Sequence, residues 1–276
     1  MSGMLYLVPT PIGNLGDISP RCEQTLRSVD FIAAEDTRVT IKLLNHLGIK
    51  KNLVSYYEHN KNAKGTVILD RILAGETCAL VSDAGSPAIS DPGEDLVRMC
   101  AEHDITVTAI PGPCAVITAL SISGLPTGRF CFEGFLSTSK KSRAEHLSSL
   151  VQETRTMIFY EAPHKLLNTL EDLSEVFGAD RRISLCRELT KLHEEVFRTS
   201  LGSAIEHYRQ SPPKGEFVLV VDGAQPVEKA SATAQDAAVR VAQLMQDGLS
   251  RKDAVKQTAK ELDLPKNMVY DAALSE

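Results

Sequence analysis

Several features are missing from this 276-residue chain, and each absence removes a class of function. No apolar stretch reaches the ~20 residues that a helix needs to cross a bilayer. The opening "MSGMLYLVPTP" carries no basic leader segment, so no secretory signal is expected. Six cysteines are present (Cys22, Cys78, Cys100, Cys114, Cys131, Cys186), but no CxxC pair. Most lie inside apolar runs and read as buried small hydrophobes, which fits a reducing cytosol and no structural zinc. Excess positive charge is missing too. The formal net charge is −6, so a nucleic-acid partner would need a local basic patch. A GxxxxGK[ST] phosphate loop is absent, and the first strand–helix turn lacks the GxGxxG dinucleotide fingerprint.

What is present is enough apolar sequence, 43% of residues, for two ordinary domains and a small appendage. Residues 1–122 alternate continuous apolar runs with amphipathic helical patterns. "MLYLVPTP" leads to "SPRCEQTLRSV", where Ser19 is placed to cap and Pro20 to sit first in the helix. "DFIAAED", "NLVSYYEHN", "CALVSDAG" and "ITVTAIPG" are each followed by a helical pattern in turn. Apolar strands without alternation predict a parallel sheet covered on both faces. Residues 123–224 form a second α/β unit. Its runs "RISLCREL" and "EEVFRTSL" lie too close for a crossover, so its sheet is expected to be mixed. Residues 225–234, "QPVEKASATA", read as a linker. Residues 235–276 read as a helix-turn-helix-like tail, broken at Gly248, restarted by a Ser250/Asp253 capping box and again at Pro265.

Open α/β sheets bind ligands beyond the carboxyl ends of their strands. "PTPIGN", "AAEDTR", "YYEHN", "SDAGSPAISDPG" and "IPGPCA" all fall at such ends, and they concentrate polar residues, glycine and proline. Proline removes N–H donors and leaves carbonyls exposed, while glycine lets a ligand approach the main chain. Such a loop suits a cationic or neutral ligand better than a pyrophosphate. It also reads as a purely structural sharp turn.

The motifs "VPTPIGNLGDIS", "AAEDTR", "LVSDAGSPAISDPG", "PGPCA", "FYEAPHKL", "RELTK" and "KGEFVLVV" occur here in the order of one family. The chain resembles the ribosomal RNA small subunit methyltransferase I family of the tetrapyrrole-methylase-like (class III) superfamily, over about its whole length. The resemblance implies a cytoplasmic homodimer of α/β domains, with S-adenosylmethionine in the cleft between them. It also implies 2′-O-methylation of the decoding-centre cytidine 1402 of 16S rRNA in the small ribosomal subunit. Methylation of a tetrapyrrole or other small molecule is the nearest alternative. A DNA-binding regulator working through the tail is another, disfavoured because acidic residues slightly outnumber basic ones there.

By the same resemblance, Asp83, Ala84, Gly85, Pro87 and Ile89 form the cofactor loop. Pro11, Pro113 and Ala115 join it from the neighbouring strand ends, and Tyr160, Glu161, Leu189 and Gly215 from the second unit. Cys114 stands where many relatives carry serine, so no hydroxyl contact is expected there. Asp91 reads as a cap for a helix beginning near Pro92. The proton of a ribose hydroxyl needs an acceptor, and Glu35, Glu58 and His59 are the candidates; His59 titrates near neutrality. Asp36 equally suits a helix cap, with Arg38 paired to Glu35. RNA phosphates would meet Arg38, a flexible arm carrying Lys140, Lys141 and Arg143, and the pair Arg187 and Lys191, one of them oriented by Glu188. His164 is placed either in the cleft or merely at a helix start. No metal-ligand spacing occurs, and methyl transfer requires no metal.

Overall fold

The computed structural model describes residues 3–225 and 233–274. Residues 1–224 form one compact unit and residues 225–276 another.

The first sheet is parallel throughout, in the order β3-β2-β4-β1-β5. Its strands are β1 (Met4–Leu7), β2 (Phe31–Ala34), β3 (Asn52–Ser55), β4 (Thr77–Val81) and β5 (Thr106–Ala109). The connecting helices are α1 (Pro20–Ser28), α2 (Thr37–His46), α3 (Lys61–Leu73) and α4 (Glu94–Glu102), and α5 (Ala115–Ile122) follows β5. Successive strand residues point to opposite faces. Phe31, Ala33, Cys78 and Leu80 therefore enter one core with Leu96 and Cys100 of α4. Ile32, Ala34, Ala79 and Val81 enter the other with Cys22 and Leu26 of α1. Both faces are buried, which is why these strands read as unbroken apolar runs. Ser19 caps α1 through Cys22 N–H, with Pro20 in the first turn, as its sequence predicts.

The second sheet has the order β6-β7-β10-β8-β9 and is mixed: β6 and β7 run parallel, and every other pairing is antiparallel. It comprises β6 (Phe130–Phe135), β7 (Thr156–Glu161), β8 (Arg182–Arg187), β9 (Glu195–Ser200) and β10 (Phe217–Val221). Helices α6 (Lys140–Ser149), α7 (Pro163–Phe177) and α8 (Leu201–Gln210) belong to the same half. One face packs Leu147, Leu166, Leu170, Leu201 and Ile205 of those helices. The other face, with Ile158, Cys186, Val218 and Val220, receives Val116, Ala119 and Leu120 of α5. The joint between the two sheets is thus a helix of the first packed on the second. Arg198 of β9 fixes its far end by donating to the carbonyls of Ile122 (2.5 Å) and Ser123 (3.1 Å), a cation on the negative end of a helix.

The C-terminal unit holds α9 (Ala234–Gln246), α10 (Arg251–Glu261) and α11 (Lys266–Ala272) around Ala237, Val241, Leu244, Ala254, Val255 and Val269. Its first helix carries a reciprocal Thr233/Asp236 capping box that the sequence reading placed only at the second. At α10 the Ser250 hydroxyl accepts from Asp253 N–H. Most of the expected linker, residues 226–232, lies outside the described residues.

Candidate active site

Strands β1 and β4 are neighbours, but their following helices pack on opposite faces, so the loops leaving them diverge and open a crevice. A backbone pair closes its floor. Thr10 N–H donates to Gly85 O (2.9 Å), and Gly85 N–H donates back to Thr10 O (3.0 Å). Gly85 takes φ +85°, and a Cβ there would lie 3.3 Å from Ile12 Cγ2. This is a position where only glycine rests unstrained.

The loop continues with two non-glycine residues in the left-handed region, Ala88 (φ 69°) and Ser90 (φ 60°). Each such residue costs on the order of 1–3 kcal/mol. Ser90 meets the second sheet at Gly134 (φ +64°), where a bulge interrupts the β6–β7 register. The bulge precedes Phe135, which stacks at 5.4 Å on Tyr160.

Between these elements lies a cavity of about 570 Å³, within the range of small-molecule and cofactor sites. Ile12, Asp83, Ala84, Gly85 and Ile89 line it from the first sheet, and Ala115 from the joint helix. Phe135, Tyr160, Glu161, Leu189 and Val218 line it from the second. Of the residues expected at the cofactor, Asp83, Ala84, Gly85, Ile89, Ala115, Tyr160, Glu161 and Leu189 are therefore brought together. Four stand behind the wall. Pro113 accepts a hydrogen bond from Ser86 (3.1 Å) through its carbonyl. Pro87 borders a separate apolar hollow with Leu7 and Val97. Gly215 (φ +85°) leaves room for Glu188, whose Cγ would lie 2.5 Å from a Cβ placed there. Pro11 does not line the cavity, although the next residue, Ile12, does.

The cavity is acidic. Glu35 accepts from Asp83 N–H (3.3 Å), and Asp83 accepts from Asp36 N–H (3.1 Å). Burial, with neighbouring carboxylates adding to it, raises both Glu35 and Asp83 above the ordinary carboxylate value. Asp91 is pushed up to about 6 by burial, then by Glu35 and Asp83. Its expected role as a helix cap is not found: Gly93 is the N-cap of α4, and no side chain caps that end. Asp91 lines the cavity instead. Its sequence signal is a second aspartate in a loop already rich in turn residues, and just before Pro92 such an aspartate reads as a cap.

Asp36 does cap α2, accepting from Arg38 N–H (2.8 Å). Arg38 pairs with Asp36, not Glu35, and its side chain is 86% exposed. Glu58 and His59 do not line the cavity. They follow β3, an edge strand separated from β4 and its loop by β2. Glu58 pairs with Lys61 (2.8 Å), and His59 meets the ring of Tyr57 edge-on at 6.3 Å. Cys114 is the N-cap residue of α5, without a side-chain cap bond, and it lines the cavity. His164 both begins α7 and lines the cavity.

The basic candidates are largely engaged. Arg187 pairs with Glu195 (2.9 Å). Lys191 donates to Glu188 (2.9 Å) and to Glu216 (2.8 Å). Its stem crosses Gly13, where a Cβ would lie 2.4 Å from Lys191 Cγ. The segment expected as a flexible arm is instead the first turn of α6, with Arg143 turned inward onto Asp172 (2.5 Å). Lys140 and Lys141 remain exposed.

Residues 4–205 match the model of the tetrapyrrole (corrin/porphyrin) methylase family. A Synechocystis protein named ribosomal RNA small subunit methyltransferase I is 50% identical over 272 residues, covering 99% of this chain and 98% of that protein. The protein of the same name from Escherichia coli O157:H7 is 45% identical, covering 99% of this chain and 96% of its own length. Among solved structures, diphthine synthase superposes with a TM-score of 0.61 at 14% identity, covering 80% of this chain and 90% of that one. Uroporphyrin-III C-methyltransferase from Thermus thermophilus, complexed with S-adenyl homocysteine, gives 0.56 at 15% identity, covering 79% and 97%.

Proposed function

This chain belongs to the tetrapyrrole methylase family, and on that premise we propose that it methylates the ribose 2′-oxygen of the decoding-centre cytidine 1402 of 16S rRNA. Its cofactor is S-adenosylmethionine. The observation that carries the reading is the cavity between the two sheets, where carboxylates and apolar side chains from both line one space.

The residues present fit that cofactor. Gly85 offers backbone without a side chain, the place for close approach to a ligand. Ile89, Phe135, Tyr160 and Leu189 provide apolar surface for a flat ring. Asp83, Asp91 and Glu161 supply negative charge and acceptors for a cationic, donor-rich ligand. When bound, the cofactor supplies an activated methyl group that an oxygen nucleophile accepts directly.

The chain's own contribution is alignment and proton management. A ribose hydroxyl attacks weakly unless its proton is drawn away, and a positioned base contributes ~10²–10⁴-fold. Asp91 and Glu35 both line the cavity, and Asp91, at about 6, is ionised yet basic near neutrality. We assign proton acceptance to Asp91, with Glu35 beside it. Lys140 and Lys141 hold RNA phosphates. The working form is a cytoplasmic homodimer in which a second copy covers exposed apolar residues such as Leu192, 93% exposed, and Phe135, 58% exposed; sedimentation equilibrium tests it.

Incubation with methyl-labelled S-adenosylmethionine and small ribosomal subunits tests the function. Label is expected in 16S rRNA at one cytidine, and the adjoining phosphodiester should resist alkali because its 2′-oxygen is blocked. Label in a tetrapyrrole but not in RNA would replace the reading by its small-molecule alternative.

A further inference from the structure

Glu161 is 4% exposed, ends β7 and lines the cavity. A buried carboxylate is tolerated only when its lone pairs are occupied. One oxygen, Oε1, accepts from Ala162 N–H at 2.8 Å. The other, Oε2, accepts from the hydroxyl of Thr169 at 2.5 Å. Thr169 lies on α7 and is 1% exposed. Its oxygen in turn accepts from Arg143 Nη2 at 2.8 Å. Arg143 Nε donates to Asp172 at 2.5 Å, so the guanidinium is held in one orientation. The result is a chain of hydrogen bonds running in one direction, from a cation in the first turn of α6 through a buried hydroxyl to a cavity carboxylate.

Direction matters here. An arginine has only donors, so the Thr169 oxygen must accept from it and spend its single proton on Glu161. Each bond polarises the next in the same sense. Glu161 is thereby fixed in rotamer, one oxygen held by Ala162 N–H and the other by Thr169, where it lines the cavity.

We propose that Thr169 and Arg143 are positioning residues for Glu161, and that through it they set the cavity's affinity for a donor-bearing ligand such as the cofactor. The proposal rests on the cofactor reading of the cavity. It gives Arg143 a role different from phosphate contact: its charge is used inward, its side chain being only 15% exposed.

Threonine permits a clean test because its two halves can be removed separately. Thr169→Val keeps the shape and deletes the hydroxyl; Thr169→Ser keeps the hydroxyl and deletes the methyl. Binding of S-adenosylhomocysteine to the full-length chain is measured by calorimetry, with thermal melting recorded for each variant. Loss of a hydrogen bond to a charged group predicts that Thr169→Val binds about 10- to 100-fold more weakly. Thr169→Ser should stay within about 3-fold of wild type, since its donor to Glu161 is intact. Arg143→Lys keeps the charge but not the fork that reaches both Asp172 and Thr169, and should weaken binding by an intermediate factor. Wild-type affinity in Thr169→Val overturns the proposal. So does a Thr169→Ser variant as weak as Thr169→Val, because packing would then be the cause. If Thr169→Val does not fold, Arg143→Lys decides: weakened binding supports the chain of bonds, and wild-type binding overturns it. Failure of the wild-type protein to bind S-adenosylhomocysteine would instead remove the cofactor reading itself.

Discussion

Asp91 concentrates the conflict between stability and function in one side chain. Its folded-state value near 6 lies above the ordinary 3.8, because burial and the neighbouring Glu35 and Asp83 disfavour its charge. Between those two values the folded chain binds more protons than the unfolded one, so stability falls as pH rises from about 4 to about 6. Above that window the ionised carboxylate is a standing cost. Discounted for its partial exposure, that cost is about 1 to 2 kcal/mol. Asp91→Asn is therefore expected to raise the melting temperature at pH 7 by a few degrees. The same variant should slow single-turnover methylation ~10²-fold and flatten the rise of rate with pH near 6. A variant that is neither more stable nor slower would return Asp91 to the loop as a turn residue. Gly85 tests the opposite wall. At φ +85° a valine is strained, and its Cβ would press on Ile12. Gly85→Val should lose at least ~10-fold in affinity for S-adenosylmethionine by calorimetry; unchanged affinity in a folded variant would exclude backbone approach at this loop.

At the scale of elements, strand order decides what the linear sequence leaves open. Continuous apolar strands declare two covered faces, and Phe31-Ile32-Ala33-Ala34 sends alternate residues to each, so the parallel sheet was legible from composition alone. The loop after β4 was legible too, because glycine and proline mark a sharp turn wherever they crowd. Lateral order was not legible. Nothing in "NLVSYYEHN" says that β3 would lie at the edge with β2 between it and β4. Glu58 and His59 share the chemistry of a base but do not line the cavity. In the turn carrying them, Asn60 accepts from Tyr57 N–H (2.8 Å) and donates to Ser55 O (3.2 Å). His59→Ala and Glu58→Gln are thus expected to keep single-turnover rates within about 3-fold at saturating cofactor and RNA. A ~10²-fold loss in either would require the β3 turn to reach the reacting atoms. Arg143 shows a related limit of the linear sequence. A basic run reads as surface, and the inward partners Asp172 and Thr169 lie 29 and 26 residues away in sequence.

The molecule as a whole carries a net charge of −6 and so repels the phosphates of its proposed substrate. Attraction must come from a few places where cations are unspent. Lys191 is paired with Glu188 and Glu216 while its stem braces Gly13. Arg187 is answered by Glu195. The first turn of α6 differs. Lys141 is 86% exposed, with Glu145 no nearer than 3.9 Å. Ser139 makes no side-chain cap, so the helix start keeps its own affinity for anions. Each phosphate contact releases counterions, and its loss lowers the dependence of log affinity on log salt by ~0.7 for single strands and ~0.9 for duplex. Lys140→Ala with Lys141→Ala should therefore lower the salt slope of small-subunit binding by about 1.4 to 1.8, and leave S-adenosylmethionine affinity unchanged. Lys191→Ala should leave the salt slope where it was, because that charge is already spent on Glu188 and Glu216. A wild-type slope in the double lysine variant would make the start of α6 an ordinary solvated surface. The phosphate contacts would then have to lie elsewhere, beginning with Arg38, whose guanidinium is exposed although paired with Asp36.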